Sequence, residues 1–557
     1  MAWLMPTSLY ESVTGFLAGL PWTLDRTDFS SHYTDERIIE IIRTGSLWTA
    51  KKGEDHILHK KLPKASLRLL LRATPEAYLN SGEARDKEQR TPLMSAVARG
   101  DVDEVILFLQ HNANPNLSDR KNKKALNYAT AGGYERIIKA LFIFGANSHH
   151  DPRDKYHPLR SLPKEDPYMP LEMAQANARI RSLFNVHEGI ADGTDQTGMS
   201  IHSTLQQLKW RNAEGVQREH ILCLDGGGMR GLVSLMILSY LQRMNHDVEL
   251  AKCFTWIAGT STGAIIAVAL AQGRTPIECI RMYFQMKDDI FCGSKPYSGD
   301  KLEEFLRKEL GGGEDNKMMS SLRGEDGEPE KKVLVTTVDA TANPLKVHLF
   351  TSYSPVQLAA EKHRTDYTTE IDIARALRCS SAAPSYFPQV VQPLPDGRFA
   401  LYLDGGLAAN NPTKVMLREF EANSRNYQYG EEGVHYELGC VLSIGTGYFP
   451  PLNNAPIVLD RAKKLASLWS IMPFIELLIE KTTNSEENVP ADRDAVRKHR
   501  HAEYFRFSPL LTQRMELDDT DNAKLIDMMW ETTEYMFNNF MNVSNFAEYM
   551  TSCNRIH

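Results

Sequence analysis

The sequence predicts an all-α repeat region followed by an α/β domain, and three observations carry that expectation. A block of about 33 residues recurs between positions 91 and 147. From about residue 219 short apolar strands alternate with helices, the pattern of a sheet with packed crossovers. Glycine-rich turns follow three of those strands, at 225, 259 and 404.

The bulk composition agrees with two domains. The chain has 557 residues, 42% hydrophobic and 24% charged, ordinary for globular protein and long for one core. Net charge is −7 with no dense basic stretch, so no nucleic-acid partner is expected. Seven cysteines are scattered without a CxxC pair, which suits reduced thiols in an intracellular setting. The opening MAWLMPTSLYESVTGFLAGL lacks the basic start of a secretion signal, and no run reaches the ~18–20 apolar residues of a membrane span. No metal-ligand spacing or calcium-loop pattern is present, so neither metal nor cofactor is expected.

The repeat is specific. Thr91-Pro92-Leu93 opens a unit that continues through Ala96, Gly100, Leu109, Ala113 and Asn114. The same classes return at Leu126, Ala129, Gly133, Phe142, Ala146 and Asn147. That period with a TPLxxA-like opening is the signature of ankyrin repeats. Leu and Ala would pack two short helices, and Gly would end the first in a tight turn. Ile38–Gly45 echoes Ile138–Gly145, Ala65–Ala73 reads as another second helix, and Met169–Ala174 as an imperfect last opening. About four units are expected across 33–185, after an N-terminal segment 1–32 and before a linker 186–218. Such stacks bind protein partners; which partner is not readable.

The α/β domain is expected over 219–557. Strands are expected at His220–Leu224, Phe254–Ala258, Lys332–Val338, Lys346–Phe350, Ala400–Leu403 and Gly439–Ile444, with helices at Leu232–Met244 and Gly263–Gln272. The sheet should be largely parallel. Gly311–Lys331 has the Gly-rich, charged composition of a mobile insertion.

Asp225-Gly226-Gly227-Gly228-Met229-Arg230-Gly231 stands at the first strand-to-helix junction. Glycines there let backbone amides converge on an anion at a helix start. Alone, the motif fits a nucleotide phosphate (with Asp247 or Glu249 as the ribose acid), an oxyanion or a structural turn. Gly259-Thr260-Ser261-Thr262-Gly263 decides among these. It is GxSxG between a strand and an apolar helix, the context of a nucleophile elbow, in which Gly259 and Gly263 permit the sharp turn. Tyr402-Leu403-Asp404-Gly405-Gly406 supplies a carboxylate at a strand end. On residues alone the base is either Asp404 by itself or a triad completed by His435 or His499.

GGGMRG, GTSTG and DGG, each at a strand end, resemble the three motifs of patatin-like phospholipases. Ser380–Phe387 (SSAAPSYF) resembles the segment upstream of that family's aspartate. With the repeats, the chain is similar to the ankyrin-repeat, calcium-independent phospholipase A2 family. The resemblance implies a patatin-like α/β hydrolase fold behind ankyrin repeats. It also implies release of fatty acid from glycerophospholipids through a Ser261 acyl-enzyme, with Asp404 as base and no histidine. Lysophospholipid and acyl-CoA thioester hydrolysis are implied as side activities. Backbone amides around Gly226, Gly227, Gly228 and Met229 would hold the oxyanion. Arg230 either contacts a substrate phosphate, orders the loop or is an ordinary surface arginine. An ankyrin scaffold carrying an inactive or nucleotide-binding α/β domain is the alternative.

Arg461–Lys481 (RAKKLASLWSIMPFIELLIEK) is basic at its start and then apolar. It reads as an interfacial amphipathic segment, a calmodulin-target-like helix or a core helix, with Pro473 interrupting it. The resemblance adds calmodulin and a second copy of the chain as partners, beside a phospholipid membrane surface. The expected location is cytoplasmic and peripheral to membranes.

Overall fold

The computed structural model describes residues 56–148, 156–163, 169–192, 216–244, 249–313, 316–322, 331–354, 366–394, 397–427, 435–449, 485–500 and 502–554. The chain forms two compact units, one of residues 1–188 and 522–527, the other of 189–521 and 528–557. Residues 33–55 and Arg461–Lys481, where the earliest repeat and the amphipathic segment are expected, lie outside the described residues.

The first unit is built of short helices: α1 Lys64–Ala73, α2 Glu76–Leu79, α3 Pro92–Arg99, α4 Val102–Gln110, α5 Ala125–Ala131 and α6 Glu135–Ile143, with α3 packed on α4 and α5 on α6. The TPL opening forms α3 for a local reason. Thr91 caps it by accepting from the Met94 amide at 3.2 Å, and Pro92 fills the first helical position, where no N–H is needed. Gly100 ends α3 at φ 75°, and Gly133, 33 residues on, sits after α5 at φ 68°. Side-chain ties recur from one unit to the next: the Asn80 amide donates to Asn112 O and the Asn116 amide to Gly145 O, both at 2.9 Å. Leu93, Ala96, Leu109, Leu126, Ala129 and Phe142, all read as repeat positions, are buried. Met169–Ala174 leads instead into one long helix, α7 Leu171–Asp192, which runs through the boundary expected at 185.

The second unit holds a nine-stranded sheet in the order β5-β4-β3-β2-β1-β8-β9, with β7 beside β3 and β6 beside β7. The strands are β1 Val216–Leu224, β2 Trp256–Thr260, β3 Lys332–Asp339, β4 Lys346–Thr351, β5 Tyr367–Thr368, β6 Val390–Pro393, β7 Phe399–Asp404, β8 His435–Ile444 and β9 Glu503–Phe507. β3, β2, β1, β8 and β9 run parallel to one another. β4 and β7 are antiparallel to β3, so the sheet is mixed where a largely parallel one is expected. The cause is connection length. Only Ala340–Leu345 join β3 to β4, too few residues for a crossover and enough for a hairpin.

One face of the sheet packs Ile221, Cys223, Trp256, Ala258 and Leu334 against Met416, Leu417 and Phe420 of the helix Thr413–Tyr427. α9 Thr262–Ala271 packs on β1, β2 and β3, and α8 Gly231–Met244 packs beside α9. Every residue of α9 is buried, as expected of a helix that is apolar all round.

Candidate active site

The sheet brings the three motifs together at one edge. β1 ends at Leu224, before Asp225, and β2 ends at Thr260, before Ser261. On β3, Thr336 pairs with Thr260 and the next residue, Thr337, pairs with Asp404. β7 runs antiparallel and overlaps β3 only by its last three residues, Tyr402–Asp404, so it descends from beyond the sheet and its end meets the C-terminal ends of the parallel strands.

Ser261 has φ 52° and ψ −119°, a strained turn costing on the order of 1–3 kcal/mol that surrounding contacts must hold. Its amide donates to Ser380 Oγ at 2.8 Å, and Ser380 Oγ in turn donates to Thr336 O at 2.7 Å. Thr260 Oγ1 donates to Ala409 O at 2.7 Å. Gly259 and Gly263 are required by proximity. A Cβ on Gly259 would lie 2.3 Å from Gly263 O, and one on Gly263 would lie 2.2 Å from Leu224 O.

The Ser261 hydroxyl donates to Asp404 Oδ2 at 2.7 Å. Asp404 Oδ1 accepts from the Gly406 amide, also at 2.7 Å, and the Asp404 amide donates to Ala382 O at 3.1 Å. Burial pushes the Asp404 carboxyl up to about 6, against the pull of its Gly406 and Ser261 hydrogen bonds. The carboxylate is therefore a stronger base than one in water, and still ionised at neutral pH.

Neither histidine of the alternative triad is near. His435 opens β8, at the end of that strand away from Ser261. Ten residues at ~3.3 Å each separate the two ends of β8. His499 Nε2 bonds Glu421 Oε1 at 3.1 Å. Among the described residues, no histidine hydrogen-bonds Ser261 or Asp404.

The glycine loop forms one wall of a cavity of about 70 Å³ that also includes Ser261 and Asp404. Ile265, Met286, Phe291, Leu302, Phe387 and Leu407 make the rest of the lining largely apolar. The loop amides differ in their commitments. Gly226 N–H donates to Asn410 O at 3.2 Å and Met229 N–H to Leu517 O at 2.7 Å. Among the described residues no hydrogen bond is made by the Gly227 or Gly228 amide, and both residues line the cavity. Gly228 has φ 58°, and a Cβ there would lie 2.2 Å from Leu517 O, so only glycine fits beneath Leu517.

Arg230 is buried, with its guanidinium 5.5 Å from the centre of the Phe449 ring, and does not line the cavity. A different arginine, not read from the sequence, braces the loop. Arg506 of β9 donates to Asp225 Oδ1 at 3.1 Å and to Oδ2 at 2.7 Å. It also reaches Glu486 Oε1 at 2.6 Å and Ser443 Oγ at 2.9 Å. Burial opposes the charge on Arg506, and Asp225 and Glu486 more than restore it, holding its proton more firmly than usual. Burial lifts the Asp225 carboxyl while Arg506 pulls it back.

Among the described residues no group of three or more His, Cys, Asp or Glu side chains stands ready to hold a metal ion. No described helix is long and apolar enough to cross a membrane.

Residues 222–417 match the model of the patatin-like phospholipases, and residues 63–152 match the model of three ankyrin repeats. The 85/88 kDa calcium-independent phospholipase A2 of Rattus norvegicus is 29% identical over 412 residues, 71% of this chain and 46% of that protein. The protein of the same name from Mus musculus is 31% identical over 57% of this chain and 39% of its own length. Intracellular phospholipase A2 of Caenorhabditis elegans is 24% identical over 90% of this chain and 48% of its own length. The chain thus spans less than half the length of each of these curated relatives. It joins ankyrin repeats to a patatin-like phospholipase domain and is similar to proteins named calcium-independent or intracellular phospholipase A2.

Proposed function

We propose that the protein is a calcium-independent acyl hydrolase that releases fatty acid from glycerophospholipids through a Ser261 acyl-enzyme, with Asp404 as its sole base. The observation that carries this reading is the Ser261 hydroxyl bonded at 2.7 Å to a buried carboxylate in an apolar cavity. The cavity lining suits an acyl chain, which gives up its water on entry.

Ser261 Oγ attacks the ester carbonyl as its proton passes to Asp404 Oδ2. The Gly227 and Gly228 amides receive the developing oxyanion, each such donor lowering a barrier by roughly 3–4 kcal/mol. Gly226 and Met229 hold the loop in place. The protonated Asp404 returns its proton to the departing lyso-lipid alkoxide as the C–O bond breaks. Water then attacks the acyl-enzyme, giving up a proton to Asp404, which passes it back to Ser261 as the fatty acid leaves. Arg230 orders the glycine loop through Phe449 rather than holding phosphate. The same acyl-enzyme serves lysophospholipids and acyl-CoA thioesters.

The protein works in the cytoplasm, peripheral to membranes, with its ankyrin repeats engaging a protein partner. Calmodulin and a second copy of the chain are further partners, and calmodulin binding falls on Arg461–Lys481. Positional hydrolysis of a phospholipid with a chelator present tests the reading. Fatty acid should be released by the wild type and not by Ser261→Ala or Asp404→Ala. Release that stops with the chelator, or persists in Ser261→Ala, contradicts it.

A further inference from the structure

A lipid ester inside a bilayer has to reach a serine at the edge of a folded sheet. Six large apolar side chains of the second unit are exposed among the described residues: Met318, Leu345, Val391, Phe399, Leu510 and Met541. Four of them stand on the edge that holds Ser261. Leu345 ends the β3–β4 turn, beyond the C-terminal end of β3. Val391 and Phe399 belong to the β6–β7 hairpin, which rises from that edge because β7 descends toward Thr337 only at Asp404. Leu510 follows β9 and bridges Tyr448, which follows β8.

The pairing register fixes their spacing. Asp339 of β3 pairs with Lys346 on one side and Tyr402 on the other, and Tyr402 pairs with Val390. One residue further out, Leu345, Ala340, Leu401 and Val391 therefore share a row, with the Ala340 amide donating to Leu401 O at 2.7 Å. On β7 the burial alternates. Ala400 and Tyr402 face inward, whereas Phe399 is 62% exposed and its hairpin neighbour Val391 50%. Leu345 is 58% exposed. On the other side of Ser261, Leu510 is 51% exposed, about three strand spacings of ~4.8 Å from β2. Exposed apolar groups thus flank the nucleophile on both sides.

Two exposed cations border these apolar side chains: Lys346 follows Leu345 and Arg398 precedes Phe399. The same stretches carry two acids, Asp339 and Asp396. Apolar side chains among cations suit the boundary of an anionic lipid surface, where the apolar groups sink between headgroups and the cations stay level with phosphate.

We propose that this edge, through Leu345, Val391 and Phe399 on one side of Ser261 and Leu510 on the other, seats the protein on a phospholipid bilayer. The choice of lipid as the occupant rests on the acyl-hydrolase reading. Once seated, the cavity opens toward the acyl region, and a lipid needs only to slide inward.

The test uses the full chain carrying Ser261→Ala, so that vesicles stay intact, in flotation with vesicles of phosphatidylcholine with and without phosphatidylserine. Leu345→Ser, Val391→Ser and Phe399→Ser together should weaken vesicle association by about tenfold or more, most with the anionic lipid. The same three changes in the wild-type background should leave hydrolysis of a soluble short-chain ester within about twofold. Phe399→Trp guards against a folding artefact: it should strengthen association and shift its emission to the blue on vesicles. Unchanged association in the triple variant overturns the proposal, as does a triple variant that converts a dimer to a monomer while still floating. If association falls as expected but the wild type cleaves no ester, the docking surface stands and the hydrolase reading fails.

Discussion

The Met229 amide donates to the Leu517 carbonyl at 2.7 Å, and that same carbonyl lies over the Cα of Gly228. Two residues almost 290 positions apart therefore set the shape of the glycine loop beside Ser261. The contact leaves Gly227 and Gly228, rather than the whole run of glycines, to face the cavity.

Gly228→Ala should cost activity far beyond its size. The new methyl meets Leu517 O, and φ 58° is a conformation that alanine adopts reluctantly. A fall in kcat of about a hundredfold or more is expected, the scale of losing an oxyanion donor. Gly273→Ala is the control, because it shares a positive φ with nothing nearby. Equal losses in the two variants would remove Gly228 from the oxyanion hole.

Ser261, Asp404 and the glycine loop were legible because each motif is local. A few consecutive residues make a strand end, a turn and a helix start, and chemistry sits in the turn. What braces them was not legible. Arg506 is 281 residues from Asp225 and carries no local mark of its role; Ser380 stands in the SSAAPSYF segment, but its bond to the Ser261 amide, 119 residues away, has no local sign. β9 was missed because Glu503 and Arg506 take two of its five positions, the second turned inward to a buried carboxylate. The antiparallel turn of the sheet could have been read from the six residues between β3 and β4. The repeats were legible from register alone, since Gly100 and Gly133 do the same backbone work.

Asp404 governs the acid limb of the pH profile. With its carboxyl lifted to about 6, kcat/KM should rise with pH through a midpoint near 6, because the base must be ionised. The stability effect has the opposite sense. A folded value above the unfolded ~3.9 favours folding below pH ~4, and that contribution is lost as pH rises through about 6. Asp404→Asn should therefore be inactive yet melt no lower than wild type at pH 8, with any advantage shrinking toward pH 4. A midpoint near 4, or a lower melting temperature for Asp404→Asn at pH 8, would count against the buried, unpaired carboxylate.

Arg506→Met should unfold the loop's anchor. It leaves the buried Asp225 carboxylate without its guanidinium, and breaking such a buried pair costs about 3–5 kcal/mol. Urea denaturation should show that loss, and adding Asp225→Asn should recover part of it. A loss below about 1 kcal/mol would mean that the guanidinium is dispensable to the fold.

The central claim, that Ser261 is the nucleophile and Asp404 its only base, is tested most directly by fluorophosphonate labelling followed by peptide mass spectrometry. Wild type and the double variant His435→Ala/His499→Ala should carry the adduct on Ser261 at similar rates. Ser261→Ala should carry none, and Asp404→Asn should label slower by about a thousandfold. An adduct lost in the histidine double variant, or retained at full rate in Asp404→Asn, would contradict the account.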